Sequence, residues 1–195
     1  MTDAREAPER SLYWTVPIVR GILAIVPAVV VTFSPDHGPA LGLVAFGVWA
    51  LVSGVVIGAL GLRLLADRVL RVIAALNGLV TAVAGLLALA LPPSLPLFLY
   101  LVSVWAAVTG FLELYAGLRG RGRSAAARDW IAAGVFTAVL AVVFLLLPPD
   151  SVTAVGLFGA YLVILGVYLL IGGFSLKWAG QPKGAAVRGA GTEQQ

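Results

Sequence analysis

The fold of this chain is decided by three related stretches: Trp49-Ala-Leu-Val-Ser-Gly54, Trp105-Ala-Ala-Val-Thr-Gly110 and Tyr161-Leu-Val-Ile-Leu-Gly166. Each begins with an aromatic residue, ends with glycine and lies 56 residues from the next. Other residues recur at the same interval or within one residue of it: Gly61, Gly117 and Gly173; Gly21, Gly78 and Gly134; Pro35, Pro92 and Pro148. A period of this kind indicates one supersecondary unit that occurs three times.

The composition predicts that the repeated unit lies in a membrane. The chain has 195 residues, of which 61% are hydrophobic and 11% charged, with a mean hydropathy of +1.02. Soluble domains carry roughly 25% charged residues. Six apolar runs are each long enough to cross a hydrocarbon core of about 30 Å: Trp14–Phe33, Ala40–Leu62, Leu70–Leu91, Leu95–Leu118, Trp130–Leu147 and Val152–Leu176. We therefore expect an integral membrane protein with six transmembrane helices.

The basic residues predict the orientation of these helices. Twelve of the 13 Lys and Arg residues lie in the two tails, at Lys177 beside the second tail, or in the loops 63–71 and 119–128, whereas the loops 34–39, 92–94 and 148–151 contain none. This asymmetry is typical of the positive-inside rule and places both termini in the cytoplasm. Because topology accounts for the charge, the net charge of +4 does not favour a nucleic-acid partner.

The predicted fold is therefore an all-α bundle of three parallel hairpins with pseudo-threefold symmetry about the membrane normal. Residues 1–11 form a polar cytoplasmic tail, and the following apolar run, which carries Arg20, is expected to be a retained helix and not a cleaved signal. The transmembrane domain covers 12–178, with repeats at about 12–65, 68–121 and 128–178. The Gly-rich residues 179–195 are expected to be a disordered cytoplasmic tail.

Small residues recur every seven positions in the returning helix of each hairpin. Because seven residues are close to two helical turns, each set forms a stripe on one helix face, where another backbone can approach closely. The stripes predict a helix-packing seam made by Gly47, Gly54, Gly61, Gly110, Gly117, Gly159, Gly166 and Gly173.

Two ionisable residues lie within the apolar runs, at similar depth from the cytoplasmic side: Arg20 in the first and Glu113 in the fourth. Charges inside a membrane are expensive and are normally paired. We predict an Arg20–Glu113 ion pair between the first and second hairpins, with Asn77 as a third member. Two alternatives remain open: a proton-responsive or transport site, and an Arg20 side chain that snorkels away from a neutral Glu113.

The sequence offers no pattern for catalysis, metal or cofactor binding. There is no cysteine and only one histidine, His37 in an outer loop, so ligands for a metal site are lacking. Ser53 has no histidine within the membrane to activate it as a nucleophile. We therefore expect a protein that is not an enzyme and binds no metal or cofactor.

The aromatic residues Trp49, Trp105 and Tyr161 lie about 140° around the helix from the glycine stripes. Either each returning helix has two packed faces, or these rings contact lipid. The sequence does not decide between the two arrangements.

The chain resembles the HdeD family, bacterial inner-membrane proteins built from a short hydrophobic repeat. The resemblance lies in Arg20-Gly-Ile-Leu-Ala-Ile25, Pro35, the three stretches quoted above and Phe111-Leu-Glu113, and covers about residues 12–178. It implies a location in the bacterial inner membrane and a role in acid or envelope stress resistance. A small transporter or channel lined by Arg20 and Glu113 is an alternative function. The expected partners are the lipid bilayer and, as a further alternative, a second copy or another membrane protein that packs on the seams.

Overall fold

The computed structural model describes residues 14–65, 67–122 and 127–179. Within these ranges the chain forms six α-helices: α1 (Thr15–Phe33), α2 (Pro39–Leu64), α3 (Arg68–Ala90), α4 (Leu95–Arg119), α5 (Ala127–Leu146) and α6 (Ser151–Ala179). The fold is all-helical, as the apolar runs predict. The predicted cytoplasmic tails, 1–11 and 179–195, lie outside the described residues except for Ala179, which ends α6.

The six helices of the described ranges are long and apolar enough to cross a membrane, by length and composition. The shortest, α1, has 19 residues and the longest, α6, has 29. At 1.5 Å per residue even α1 reaches about 28 Å, close to the thickness of a hydrocarbon core. The chain therefore has the features of a multi-pass membrane protein.

Short polar segments begin several of the helices. At the start of α3, the Asp67 carboxylate accepts hydrogen bonds from the backbone N–H groups of Val69 and Leu70. The Ser94 hydroxyl accepts one from the N–H of Leu97 in α4, and Asp150 accepts one from the N–H of Thr153 in α6. The backbone N–H groups in the first turn of a helix have no acceptor within the helix, and these side chains supply one. These hydrogen bonds define where α3, α4 and α6 begin.

The most extensive helix contacts join different copies of the repeat. They are formed by α2 with α3, α4 with α5, and α6 with α1, whereas the two helices of each hairpin contact each other less. The pairing of α6 with α1 connects the last copy to the first. At its end, the Lys177 ammonium lies 4.9 Å from the centre of the Trp14 ring. The three copies therefore pack as a closed set rather than as a row of independent hairpins.

Aromatic side chains from the returning helices α2, α4 and α6 fill the interior. Trp49, Trp105 and Tyr161 are buried, with relative exposures of 8%, 4% and 7%. The Trp49 and Trp105 rings meet edge to face with centroids 5.2 Å apart, and the centroids of Trp105 and Tyr161 are 6.3 Å apart. The arrangement with two packed faces is therefore the one that occurs, and these rings are largely buried.

Candidate functional site

The seam between α2 and α3 brings two backbones into direct contact. A Cβ atom on Gly54 would lie 2.5 Å from both the carbonyl oxygen of Gly78 and the N atom of Ala82. On either side of this contact, Gly47 lies against Gly85 and Gly61 against Ala74. Because real Cβ atoms do not approach backbone atoms so closely, only glycine permits this separation at the centre of the seam.

The other predicted seam glycines also face a neighbouring helix. A Cβ on Gly110 would lie 2.9 Å from Ala138 N, and one on Gly117 would lie 2.7 Å from Ile131 N, both in α5. The remaining three lie on α6 and face α1: Gly159 against Val31, Gly166 against Gly21 and Ile25, and Gly173 against Ile18 and Trp14. All eight positions therefore lie at contacts between copies of the repeat.

Arg20, Glu113 and Asn77 come together in the interior, from α1, α4 and α3. The Arg20 guanidinium donates to Glu113 Oε1 through Nη2 at 2.5 Å, and Asn77 Nδ2 donates to the same oxygen at 3.3 Å. The side chains of Arg20 and Glu113 are only 9% and 7% exposed. Hydrogen bonds between charged groups are the strongest type in proteins, and water competes little at this burial. We call these three residues the polar cluster.

A chain of hydrogen bonds extends from the polar cluster toward the aromatic core. The Thr81 hydroxyl donates to the carbonyl oxygen of Asn77 at 2.8 Å and accepts from Trp105 Nε1 at 3.1 Å. In the next copy, the hydroxyls of Thr137 and Tyr161 lie 2.9 Å apart. The polar atoms of two of the three central aromatic residues are thus bonded within the protein, as buried Trp and Tyr usually are.

A small cavity lies between the polar cluster and the aromatic residues. Its volume is about 30 Å³. Its lining comes largely from equivalent repeat positions: Trp49, Trp105 and Tyr161; Ser53, Thr109 and Leu165; Ile57, Glu113 and Leu169; Thr81 and Thr137; Arg20 and Asn77. One wall is polar because the second copy carries Glu113 where the other copies carry Ile57 and Leu169.

Sequence reasoning missed several residues of this site. Thr81 and Thr137 could have been found, because each lies 24 residues before the aromatic residue that it contacts. The sequence drew attention to Ser53 only as a possible nucleophile, whereas in the structure Ser53 lines the cavity. Asp129 lies outside the apolar runs and was not singled out, yet it lies in the first turn of α5 and is only 6% exposed, near Gly172 of α6.

The site offers hydrogen bonds and one buried acid–base pair. Glu113 is the one carboxyl group among the residues that line the cavity, and Arg20 and Tyr161 are the other ionisable ones. Across the described ranges, His, Cys, Asp and Glu form no group of three or more that could hold a metal ion. The arrangement thus provides a single buried acid held by a base and an amide.

The fold and the site together define a class: a helical repeat protein, long and apolar enough to cross a membrane six times, with a charged cluster buried between its copies. The short repeat of unknown function DUF308 matches the chain three times, at residues 19–90, 76–146 and 132–189. The chain therefore belongs to the DUF308 repeat family. The matches start 57 and 56 residues apart, which is the period of the sequence repeat. No curated protein and no solved structure matches the chain.

Proposed function

We propose that the protein is a non-enzymatic, multi-pass protein of the bacterial inner membrane, of HdeD type, that supports survival under acid or envelope stress. The family match and the residues shared with HdeD proteins support the type. The three loops on one side of the predicted membrane domain contain no Lys or Arg. This asymmetry supports a cytoplasmic location of both termini, which lie on the other side. The three equivalent helix pairs support a pseudo-threefold axis along the membrane normal.

The observation that carries the proposal is the buried Glu113 carboxyl group, held by Arg20 and Asn77. Loss of either charge would leave the other one unbalanced in the interior. The packing between the first and second copies therefore depends on this charge pair. The proposed stress role thus rests on the packing of the helices and needs no catalysed reaction.

The alternative of a transporter or channel has one observation in its favour, because a cavity with polar groups reaches Glu113. Its volume of about 30 Å³ holds about one or two water molecules and no larger solute. A transport path would need a second conformation in which α1, α3 and α4 separate around the polar cluster. The ion pair works against that separation, so we favour the stress role.

The proposal is tested by the survival of a deletion strain after acid challenge, with the gene supplied in trans. We expect the wild-type gene to restore survival and Glu113→Gln to restore it only partly, because glutamine keeps the shape but cannot ionise. Asp36→Asn is the matched control, since Asp36 lies in an exposed turn, where its carboxylate accepts a hydrogen bond from the N–H of Gly38. Equal survival of the deletion and wild-type strains would contradict the proposed role.

A further inference from the structure

Two buried polar atoms at the central cavity have no hydrogen-bond partner within the described part of the chain: Ser53 Oγ and Asn77 Oδ1. Ser53 is 3% exposed and Asn77 is 8% exposed, so bulk solvent does not reach them freely. Both residues line the same cavity, together with Glu113. Buried polar groups in proteins are nearly always paired, with water where the protein supplies no partner.

The Ser53 hydroxyl differs from the other buried helical hydroxyls that line the cavity. Thr81, Thr109 and Thr137 each donate to the carbonyl oxygen four residues earlier, at 2.7 to 2.8 Å. This local bond satisfies their donors. Ser53 occupies the repeat position of Thr109 but makes no such bond. Its hydroxyl is therefore available to a group inside the cavity.

The free groups determine which ligand fits. Ser53 offers a donor and an acceptor, whereas Asn77 Oδ1 offers an acceptor. A ligand must then donate and accept at once and occupy about 30 Å³, which matches one or two water molecules. A metal cation is disfavoured because the Arg20 guanidinium already balances the one carboxylate of the cavity. An anion is disfavoured because Asn77 Oδ1 and Glu113 both present acceptors.

We propose that this cavity is an internal hydration site, in which water bonds Ser53 of α2 and Asn77 of α3 beside Glu113. The water connects the first copy of the repeat to the second at the level of the polar cluster. Its hydrogen bonds add to the Arg20–Glu113 bond between the same two copies. This hydration site is part of how the bundle is built and is independent of the stress role.

The test uses the full chain in lipid nanodiscs, with water as the probe. Infrared difference spectra between ordinary and heavy-oxygen water isolate the O–H bands of bound water molecules. We expect such a band in the wild type, a shifted band in Ser53→Ala and loss of the band in Ser53→Val, whose larger side chain fills the space. Ser175→Ala is the control, because Ser175 is exposed on α6 and should leave the band unchanged.

Thermal unfolding of Ser53→Ala gives a second readout that does not depend on the larger substitution. If the cavity is hydrated, the variant loses a hydrogen bond to water and its Tm falls. If the cavity is dry, the variant loses only an unpaired hydroxyl and its Tm rises. A rise in Tm, or a heavy-oxygen band that is the same in the wild type and Ser53→Val, would overturn the proposal.

Discussion

The glycine seams and the polar cluster use the repeat in opposite ways. The seams place small residues at equivalent positions in all three copies, as with Gly54, Gly110 and Gly166. The polar cluster occupies positions at which the copies differ: Arg20 corresponds to Asn77 and Ala133, and Glu113 to Ile57 and Leu169. The comparison shows that repetition builds the scaffold, while substitutions at a few repeat positions build the site.

The difference has a physical origin. A seam depends on backbone approach, which any copy achieves once its side chains are small enough. A buried charge must be neutralised by a partner, and one partner is enough for one charge. Three acids around one small cavity would repel each other. The charged residues therefore occur once, although the positions that they occupy occur three times.

The largest expected effect comes from breaking a seam. Gly54→Ala places a Cβ 2.5 Å from backbone atoms of α3, so the two helices must separate. The cost is expected at or above the upper end of the about 1–3 kcal/mol typical of overpacking, because the obstructing atoms are backbone. The measurement is thermal unfolding in detergent, followed by size-exclusion chromatography. Gly58→Ala is the matched control one turn away, since its Cβ would lie 3.7 Å from Gly78 Cα, an ordinary contact. Equal stability of the two variants would contradict a seam based on backbone contact.

Next in size is the loss of one partner of the ion pair. Arg20→Ala and Glu113→Leu introduce the residues that the third copy carries, and each should destabilise the protein by about 3 kcal/mol, because a buried charge loses its partner. The double variant should lose less than the sum, with a coupling of about 1–3 kcal/mol. A double-mutant cycle on the free energy of unfolding measures this coupling. Additive losses would mean that the two side chains do not stabilise each other.

A smaller effect is expected where the polar cluster meets the aromatic core. Thr81→Val removes the acceptor of the Trp105 Nε1–H group and should cost about 1–2 kcal/mol, since that donor is left unpaired. Thr32→Val is the control, because the Thr32 hydroxyl bonds only the carbonyl oxygen of Ala28 among the hydrogen bonds described. Tryptophan fluorescence during unfolding reports both variants. A loss as large in Thr32→Val would show that the Trp105 bond contributes nothing specific.

The smallest effect concerns a helix start outside both regions. Hydrogen bonds from the Thr153 side chain and backbone N–H lower the pKa of Asp150 from its usual 3.8. The pKa of Asp150 is therefore higher in the unfolded chain than in the folded one. Asp150 contributes fully to the stability of the fold above the unfolded pKa, and this stabilisation is lost as the pH falls through the folded pKa. The Tm difference between wild type and Asp150→Ala should therefore shrink at low pH. Ser94→Ala, which removes a cap that does not titrate, should keep a constant difference.

Much of the fold follows from local sequence, because a segment that crosses a membrane must be apolar, helical and about 20 residues long. The apolar run 40–62 corresponds to α2, which spans Pro39–Leu64, and Pro39 at its start fits the first turn of a helix. The helix ends differ by a few residues from the apolar runs, since backbone hydrogen bonding continues after apolar side chains end; α6 extends past Leu176 to Ala179. The candidate pair of Arg20 and Glu113 also came from sequence, because charges within apolar runs are rare.

Other features required the packed structure. Gly42 shows why: a Cβ there would lie 3.2 Å from the Phe98 ring, and Phe98 occupies the same repeat position one copy later. A large residue in one copy thus packs against a small residue at the equivalent position of another copy. No pattern within a single helix predicts this contact. The pairing of helices from different copies also required the packed structure. From the sequence, short turns within each hairpin predict that its own two helices contact each other most.

The sequence by itself determined the number of helices, their repeat, and which few polar residues must find partners in the interior. Those properties depend on hydropathy, period and the cost of isolated charge, which are local or additive. Only the tertiary structure decided that seams join different copies, that the central aromatic rings face one another, and that Ser53 and Asn77 share a cavity with Glu113. These properties depend on which helix faces meet, and that choice is made by the packing of all the helices together.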